Sequence, residues 1–353
     1  MSEIWDVIVI GGGQAGLASG FYLRKKGYQF IILESSNLAA GSWPNYYDSL
    51  QLFSPAYFSS LPGMKFPGEL KKYPTRSEVI QYLTDYTQHF NLPVHIHKQV
   101  LSVEKNNNVF TVVTGTGETY YSKTIINATG SFRSPYIPLI KGRELFNGRM
   151  IHSSQYQNPE PFINERIIVV GSGNSAVQIA IELSKVSQTK LAVRQPVTLQ
   201  KQKVLGQDIH FWLKISGFDR YPFWRFGKTV PKSNSVLDLG EYKEQLEKGK
   251  PDQNNMFTSF YSDGIVWPDG RKEKVDTVIF ATGYKNKLSH LEATGAIDSL
   301  GEPIHAGGVS TVVPGLYYVG LEGQRSFASA TLRGVGPDAK FVIRKLDRYL
   351  KTL

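Results

Sequence analysis

Asp6-Val7-Ile8-Val9-Ile10-Gly11-Gly12-Gly13-Gln14-Ala15-Gly16 is the stretch whose reading decides the fold. Its β-branched apolar run predicts a strand, and the glycines that end the run are spaced G-x-G-x-x-G. A helix-compatible run from Leu17 to Lys26 follows, with Gly27 placed to cap it. A second apolar strand, Phe30-Ile31-Ile32-Leu33, then ends in Glu34. In this setting Gly11 allows a tight turn, Gly13 lets backbone approach a pyrophosphate, and Gly16 lets helix and strand pack closely. The helix N-terminus then offers unpaired N–H groups and a positive dipole end to phosphates. Glu34, 23 residues after Gly11, stands where an acid accepts from ribose hydroxyls. The glycines alone would describe only a βα turn; strand, helix, second strand and acid together describe a dinucleotide site.

The plan then repeats. Arg166-Ile167-Ile168-Val169-Val170 predicts a strand, followed by Gly171-Ser172-Gly173-Asn174-Ser175-Ala176 and a helix from Val177 to Val186. The next strand, Leu191-Ala192-Val193, ends in Arg194, again 23 residues after the first glycine. Each unit closes on a buried strand and the same small turn. These turns are Ala128-Thr129-Gly130 after Thr124–Asn127, and Ala281-Thr282-Gly283 after Val278–Phe280. Two dinucleotide-binding units therefore share one chain, and each copy corroborates the other. They differ where chemistry should differ. Glu34 suits a free 2′-hydroxyl and Arg194 a 2′-phosphate, which reads as FAD at the first site and NADPH at the second. The alternative for Arg194 is a plain surface cation, which would leave NADH and NADPH poorly distinguished.

Composition narrows the chemistry. The 353 residues allow two domains, and 41% hydrophobic with 20% charged residues is ordinary for a globular chain. No apolar run approaches the ~20 residues of a membrane span. Met1-Ser2-Glu3 leads almost directly into the first strand, leaving no room for a signal peptide, so a cytoplasmic location is expected. With no cysteine, disulfides, thiolate metal sites and cysteine nucleophiles are excluded, no metal centre is expected, and redox chemistry must sit on a bound cofactor. A net charge of +10 and a pI of 9.4 point to anionic ligands. The lysines are scattered, so phosphate-bearing cofactors and a solvated basic surface account for that charge without nucleic acid.

The remaining segments fill in the architecture. Residues 37–74 form a long loop with Trp43, Tyr46, Tyr47 and Phe53, read either as a binding loop or as one packed by its own aromatics. Ser77–His89 has helical spacing. Short strands are expected at His95–Val103, Val109–Val113 and Thr119–Ser122, with a turn at Thr114–Gly117. Residues 204–260 hold Trp212, Phe218, Tyr221, Phe223, Trp224 and Phe226 among Lys214, Arg220, Arg225 and Lys228. That interleaving resembles a nucleic-acid surface, but an insertion packing over the active cleft is the preferred reading. A strand at Gly315–Gly320 precedes a helix from Pro337 to Leu350, with Pro337 in its first turn. The expected fold is α/β, with two Rossmann-like domains of the three-layer ββα type. Residues 1–145 and 284–353 form the FAD domain, and 146–283 form the NADPH domain inserted into it.

With both fingerprints, both Ala-Thr-Gly turns and Gly315-Leu316-Tyr317-Tyr318-Val319-Gly320 in hand, the chain resembles the flavin-containing monooxygenases over nearly its whole length. It looks most like their small bacterial members and the plant indole-pyruvate branch. Phe146-Asn147-Gly148-Arg149-Met150-Ile151-His152-Ser153-Ser154-Gln155-Tyr156 fits that family's F-x-G-x-x-x-H linker, and Gly171–Ala176 fits its G-x-G-N-S-A site for NADPH. Tyr156-Gln157 stands where Baeyer–Villiger relatives carry Trp-Pro, and disulfide reductases would need a Cys-x-x-Cys.

The resemblance implies cofactor contacts at Gly11, Gly13, Gln14, Ala15, Gly16, Glu34, Trp43, Val100, Ala128, Thr129, Gly130, Gly320, Thr331 and Leu332 for FAD. For NADPH it implies Gly171, Gly173, Asn174, Ser175, Ala176, Arg194 and Gly283. It places Gln51 and Phe53 toward substrate or flavin, with Phe53 near a position where amine-oxidising members carry asparagine. His152 reads as a structural residue bonding a linker carbonyl ahead of a proton-transfer role, and no catalytic residue is assigned. The implied reaction passes hydride from NADPH to FAD and oxygenates a sulfide, amine or indole-type compound through a flavin hydroperoxide. The partners implied are a small-molecule substrate and oxygen; a homodimer is allowed. Two other readings stay open: an NAD(P)H oxidase or reductase without oxygen transfer, and a redox-sensing accessory protein regulating a partner such as a transporter.

Overall fold

Alternation along the first strand builds the first core. In the computed structural model, which describes residues 3–130, 134–227, 229–231, 235–238, 240–286 and 288–353, strand β1 spans Ile4–Ile10. Met1, Ser2 and Lys228 lie outside the described residues. Helix α1 (Gln14–Lys26) and strand β2 (Phe30–Leu33) follow β1, and Gly27 caps α1 at φ 77°. Next come α2 (Arg76–His89), β3 (Val94–His95), β4 (Val100–Asn106), β5 (Val109–Thr114) and β6 (Thr119–Asn127). β1 lies parallel between β2 and β6, and the strand Leu316–Tyr318 from the far end of the chain lies parallel against β6.

Val7 and Val9 face one way, into a cluster with Leu17 and Leu23 of α1 and Val79, Tyr82 and Tyr86 of α2. Helix α6 (Leu332–Leu350) adds Val335, Ala339, Val342 and Leu346 to that cluster. Ile8 and Ile10 face the other way, onto Val103 of β4, Phe110 and Val112 of β5, and Leu288 and Leu291. Helices, parallel strands and a β-meander thus form three layers. Truncating a fully buried side chain such as Phe110 would cost about 3–5 kcal/mol.

The second sheet repeats the arrangement. Its order is Asp252–Asn255, Gln188–Val193, Arg166–Val170, Thr277–Phe280, Arg149–His152, all parallel. Helix α3 (Asn174–Leu183) covers one face through Ala176, Ile179, Ala180 and Leu183. An antiparallel ribbon of Ser259–Tyr261, Gly264–Val266 and Lys272–Lys274 covers the other through Phe260, Ile265 and nearby Trp267. Between Gln188–Val193 and Asp252–Asn255 the chain forms short helices α4 (Ile209–Ile215) and α5 (Tyr242–Glu247). Ser134–Pro135 and Tyr284–Lys285 pair antiparallel, side by side.

Several expected boundaries move. His95–Val103 is two strands, because His97 takes φ 55° and Lys98 N–H turns back to Glu34 O at 2.7 Å. Thr119–Ser122 and Thr124–Asn127 are one strand, β6, whose first half pairs with β5 and whose second pairs with β1. Helix α3 ends at Leu183, not Val186, where the Ser184 and Ser187 hydroxyls take Ile181 O and Leu183 O. Helix α6 begins at Leu332, five residues before Pro337, which lies inside it. Gly334 permits that early start: a Cβ there would lie 1.8 Å from Ala328 O. The aromatic segment after Lys201 packs on the C-terminal part of the chain. Trp224 meets Phe341, Phe218 meets Phe327, and Asp219 pairs with Arg333 through bonds of 3.0 and 3.1 Å.

Candidate cofactor sites

The first glycine turn is closed by backbone contact. Gly11 sits at φ +107°, and a Cβ there would lie 2.6 Å from Ala128 O; one on Gly16 would lie 1.9 Å from Gly11 O. Glu34 is buried, and its Oε2 accepts from Gly12 N–H at 2.6 Å. Its Oε1 accepts from Ser36 N–H at 2.8 Å, with the Ser35 and Ser36 hydroxyls at 3.1 and 2.9 Å. The carboxylate is therefore fixed beside the turn. Lys98 bonds the Glu34 carbonyl and so brings the bulged start of β4, at Val100, toward the same strand end.

Other expected residues converge here from distant parts of the chain. Trp43 Nε1 donates to Gln14 Oε1 at 3.0 Å, and Gln14 Nε2 donates to Ala330 O at 2.5 Å. Gln14 thereby joins the loop after β2 to the start of α6, where Thr331 is the N-cap and Leu332 the first helical residue. Gly320, at φ +95°, leaves room for Ala15: a Cβ there would lie 2.6 Å from the Ala15 Cβ. Ala128 N–H bonds Ile10 O at 2.8 Å, and Thr129 and Gly130 continue from it. Neither α1 nor α6 has a side-chain cap at its N-terminus. Two helix starts with unclaimed N–H groups at one end of the sheet suit an anionic ligand.

The second turn copies the first. Gly171 takes φ +138°, and a Cβ there would lie 2.5 Å from Ala281 O, matching the Gly11–Ala128 approach. Gly173 is the uncapped N-cap of α3 and is exposed, with open space where a Cβ would stand. Asn174 Oδ1 accepts from Leu237 N–H at 3.3 Å, Ser175 is half-buried, and Ala176, in the third glycine's place, is buried. Arg194 follows the second strand, is exposed, and has no ion pair among the described residues. Gly283, at φ +80°, accepts at its carbonyl from Tyr136 N–H and from His152 Nε2, at 2.9 and 3.0 Å.

His152 is buried. Nδ1 accepts from Ser154 N–H at 3.1 Å while Nε2–H donates to Gly283 O, so the ring is the neutral Nε2–H form. Burial pushes its pKa below the ordinary value, only partly opposed by the Gly283 bond. Gln51 is exposed and lines a shallow groove with Gln178, Ile181 and Tyr242 along the flank of α3. Phe53 is half-buried, and its carbonyl accepts from Gln202 Nε2 at 2.8 Å. Sequence reasoning missed the buried Gln202–Asp208–His210 group that, with half-buried Tyr73, receives this loop; the available signal was Asp208 as an N-cap before α4. Among the described residues no cluster of metal-binding side chains occurs, and no helix is long and apolar enough to cross a membrane.

Comparison with known proteins fixes the family. A family model described as pyridine nucleotide-disulphide oxidoreductase matches residues 8–216. An uncharacterized CzcO-like oxidoreductase of Geobacillus kaustophilus is 37% identical over 98% of this chain and 99% of its own. The probable indole-3-pyruvate monooxygenase YUCCA1 of Arabidopsis thaliana is 30% identical over 80% of this chain and 76% of its own. The flavin-containing monooxygenase of Stenotrophomonas maltophilia superposes with a TM-score of 0.87 at 30% identity, covering 99% of both chains. The chain belongs to the flavin-containing monooxygenases.

Membership makes this monooxygenase a flavin-dependent oxidoreductase and implies FAD and NADPH as its two dinucleotides. The first turn fits such a group, because side chains are sterically barred at Gly11 and Gly16 and two helix N-termini open beside it. Dithiol chemistry of the kind named by the matching model is closed to a monooxygenase with no cysteine.

Proposed function

We propose that this chain is an NADPH-using, FAD-dependent monooxygenase of the cytoplasm that oxygenates a small soft nucleophile: a sulfide, an amine or an indole-type compound. The balance is NADPH, a proton, O2 and substrate giving NADP+, water and the singly oxygenated product. Bound FAD would supply the hydride acceptor and the oxygen-activating centre. The chain supplies the rest. Gly11, Gly13, Gln14, Ala15 and Gly16, with Thr331 and Leu332, hold the FAD phosphates at two helix starts, and Glu34 holds its ribose. Trp43, Val100, Ala128, Thr129, Gly130 and Gly320 enclose it. Gly171, Gly173, Asn174, Ser175, Ala176 and Gly283 hold NADPH, and Arg194 reads its 2′-phosphate. Residues 1–145 and 284–353 are the FAD domain, with the NADPH domain, 146–283, inserted.

One contrast supports this reading most: the buried Glu34, its carboxylate held by Gly12, Ser35 and Ser36 at one turn, against the exposed Arg194 at the other, which has no ion pair among the described residues. The deciding experiment supplies NADPH and oxygen to the purified protein with candidate sulfides, amines and indole-3-carbonyl compounds. Oxygenated product formed in proportion to NADPH consumed is the expected result. Peroxide alone would make it an oxidase; negligible turnover beside tight binding of a protein partner would make it an accessory protein.

A further inference from the structure

None of the residues assigned above to FAD or NADPH lies between 201 and 227. A hairpin of Lys203–Val204 and Gln207–Asp208 turns through Leu205 and Gly206, at φ 48° and 74°. A leucine in the left-handed region is uncommon and strained, and such strain clusters at functional places. Here it holds an apolar side chain 86% exposed at the hairpin tip. Trp212 Nε1 donates to Val204 O at 2.9 Å and braces the hairpin against α4. Trp212, Leu213, Ile215, Ser216 and Phe218 line an open groove, with Ile215 64% exposed. Phe218 packs on Phe223, Phe223 on Tyr221, and Tyr221 stacks on Phe226, which is 59% exposed. These ring contacts tie the groove, through the buried Phe223, to the exposed Phe226.

Its charge is one-sided. Lys201, Lys203, Lys214, Arg220 and Arg225 are exposed. The two acids of the segment, Asp208 and Asp219, are buried, one held by Tyr73, Gln202 and His210 and the other by Arg333. Every exposed charged side chain between 201 and 227 is therefore positive.

We propose that this face docks on an anionic lipid bilayer, with Leu205, Ile215 and Phe226 entering the interface and the five cations meeting headgroup phosphates. Apolar side chains ringed by Lys and Arg are the composition of interfacial anchors. Nucleic acid fits less well, because Val204, Leu205 and Ile215 have no ring on which a base can stack. A two-fold contact with a second copy would press these cations against themselves.

The test is co-sedimentation of the full-length, flavin-loaded protein with vesicles of phosphatidylglycerol and phosphatidylcholine in equal parts, or of phosphatidylcholine alone. Partition onto the anionic vesicles about tenfold or more above the neutral ones, weakened by added salt, is expected. Lys203→Gln with Lys214→Gln should lower that partition about thirtyfold. Leu205→Asp with Ile215→Asp should abolish it with flavin content and Tm unchanged, both side chains being in solvent. Equal binding to both vesicle types, no binding to either, or retention by the Leu205→Asp/Ile215→Asp variant would overturn the proposal. So would preference for single-stranded nucleic acid over vesicles, or a dimer that the same substitutions dissociate.

Discussion

Tyr73 Oη lies 2.6 Å from Asp208 Oδ2, across 135 residues of chain. Gln202 Nε2 bonds the same oxygen at 2.7 Å and also Phe53 O, so the long loop after β2 is tied at two points to the segment before α4. Burial works to raise the Asp208 carboxyl, but donors on His210, Tyr73 and Gln202 outweigh it and hold the group below its usual range. Tyr73→Phe should cost about 1.5–3 kcal/mol as one bond to a charged acceptor. Asp208→Ala should cost about 3–5 kcal/mol, since it strands several buried donors. Urea midpoints measure both; an unchanged midpoint for Tyr73→Phe would mean the loop is held elsewhere.

Coenzyme choice should rest on Arg194. The guanidinium is exposed and unpaired among the described residues, so a phosphate meets it without displacing a partner. A charge-assisted contact contributes about 1.5–3 kcal/mol, or roughly ten- to a hundredfold. Exposure puts the effect at the lower end. Arg194→Ala should raise KM for NADPH about tenfold and leave NADH nearly unaffected; equal damage to both coenzymes would assign Arg194 to the fold.

Flavin loading should depend on Gly13. Its backbone, φ −79° and ψ −172°, suits any residue, and an added Cβ would meet Gly41 Cα at 3.3 Å. Gly13→Ala should therefore fold while placing a methyl where a pyrophosphate approaches. The molar ratio of bound flavin to protein in the purified variant, read from its visible absorbance, should fall well below one. A fully yellow variant would remove this turn from the FAD site.

His152 should make stability fall on acidification. Its folded pKa lies below the ordinary value near 6.5, so the unfolded chain binds the extra proton first. The contribution is fully present above about pH 6.5 and is lost as pH falls through the folded pKa, at up to about 1.4 kcal/mol per pH unit. Half-buried His305 shifts the same way, through desolvation, and adds to the slope. His152→Gln should flatten the wild-type dependence of urea midpoint between pH 7 and 5. A slope identical to wild type would show that folding leaves proton binding at this ring unchanged.

Both glycine turns were legible in sequence because their determinants are local. A strand end, a positive-φ glycine and a helix start occupy six consecutive residues, and Glu34 or Arg194 stands 23 residues after the first glycine, where the next strand ends. The start of α6 was not legible, since Pro337 signals a first turn and only the approach of Gly334 to Ala328 explains the five residues before it. Convergence of Trp43, Gln14 and Ala330 was invisible for another reason. The Gln14–Ala330 bond spans 316 residues, and no local periodicity encodes such a contact. Asp219–Arg333 and Tyr73–Asp208 were hidden in the same way.

The strand Leu316–Tyr318, which flanks β6, imposes an order on synthesis. Ile125 and Ile126 end fully buried, and Leu316 and Tyr317 are their register partners. While a ribosome makes the intervening chain, at about 5–20 residues per second, that edge of β6 stays open for about 10–40 seconds. All five strands of the 149–280 sheet have emerged by then. The sheet begun first is thus closed last, and a nascent chain stalled before Leu316 presents a sticky β-edge to chaperones and to its neighbours on the polysome.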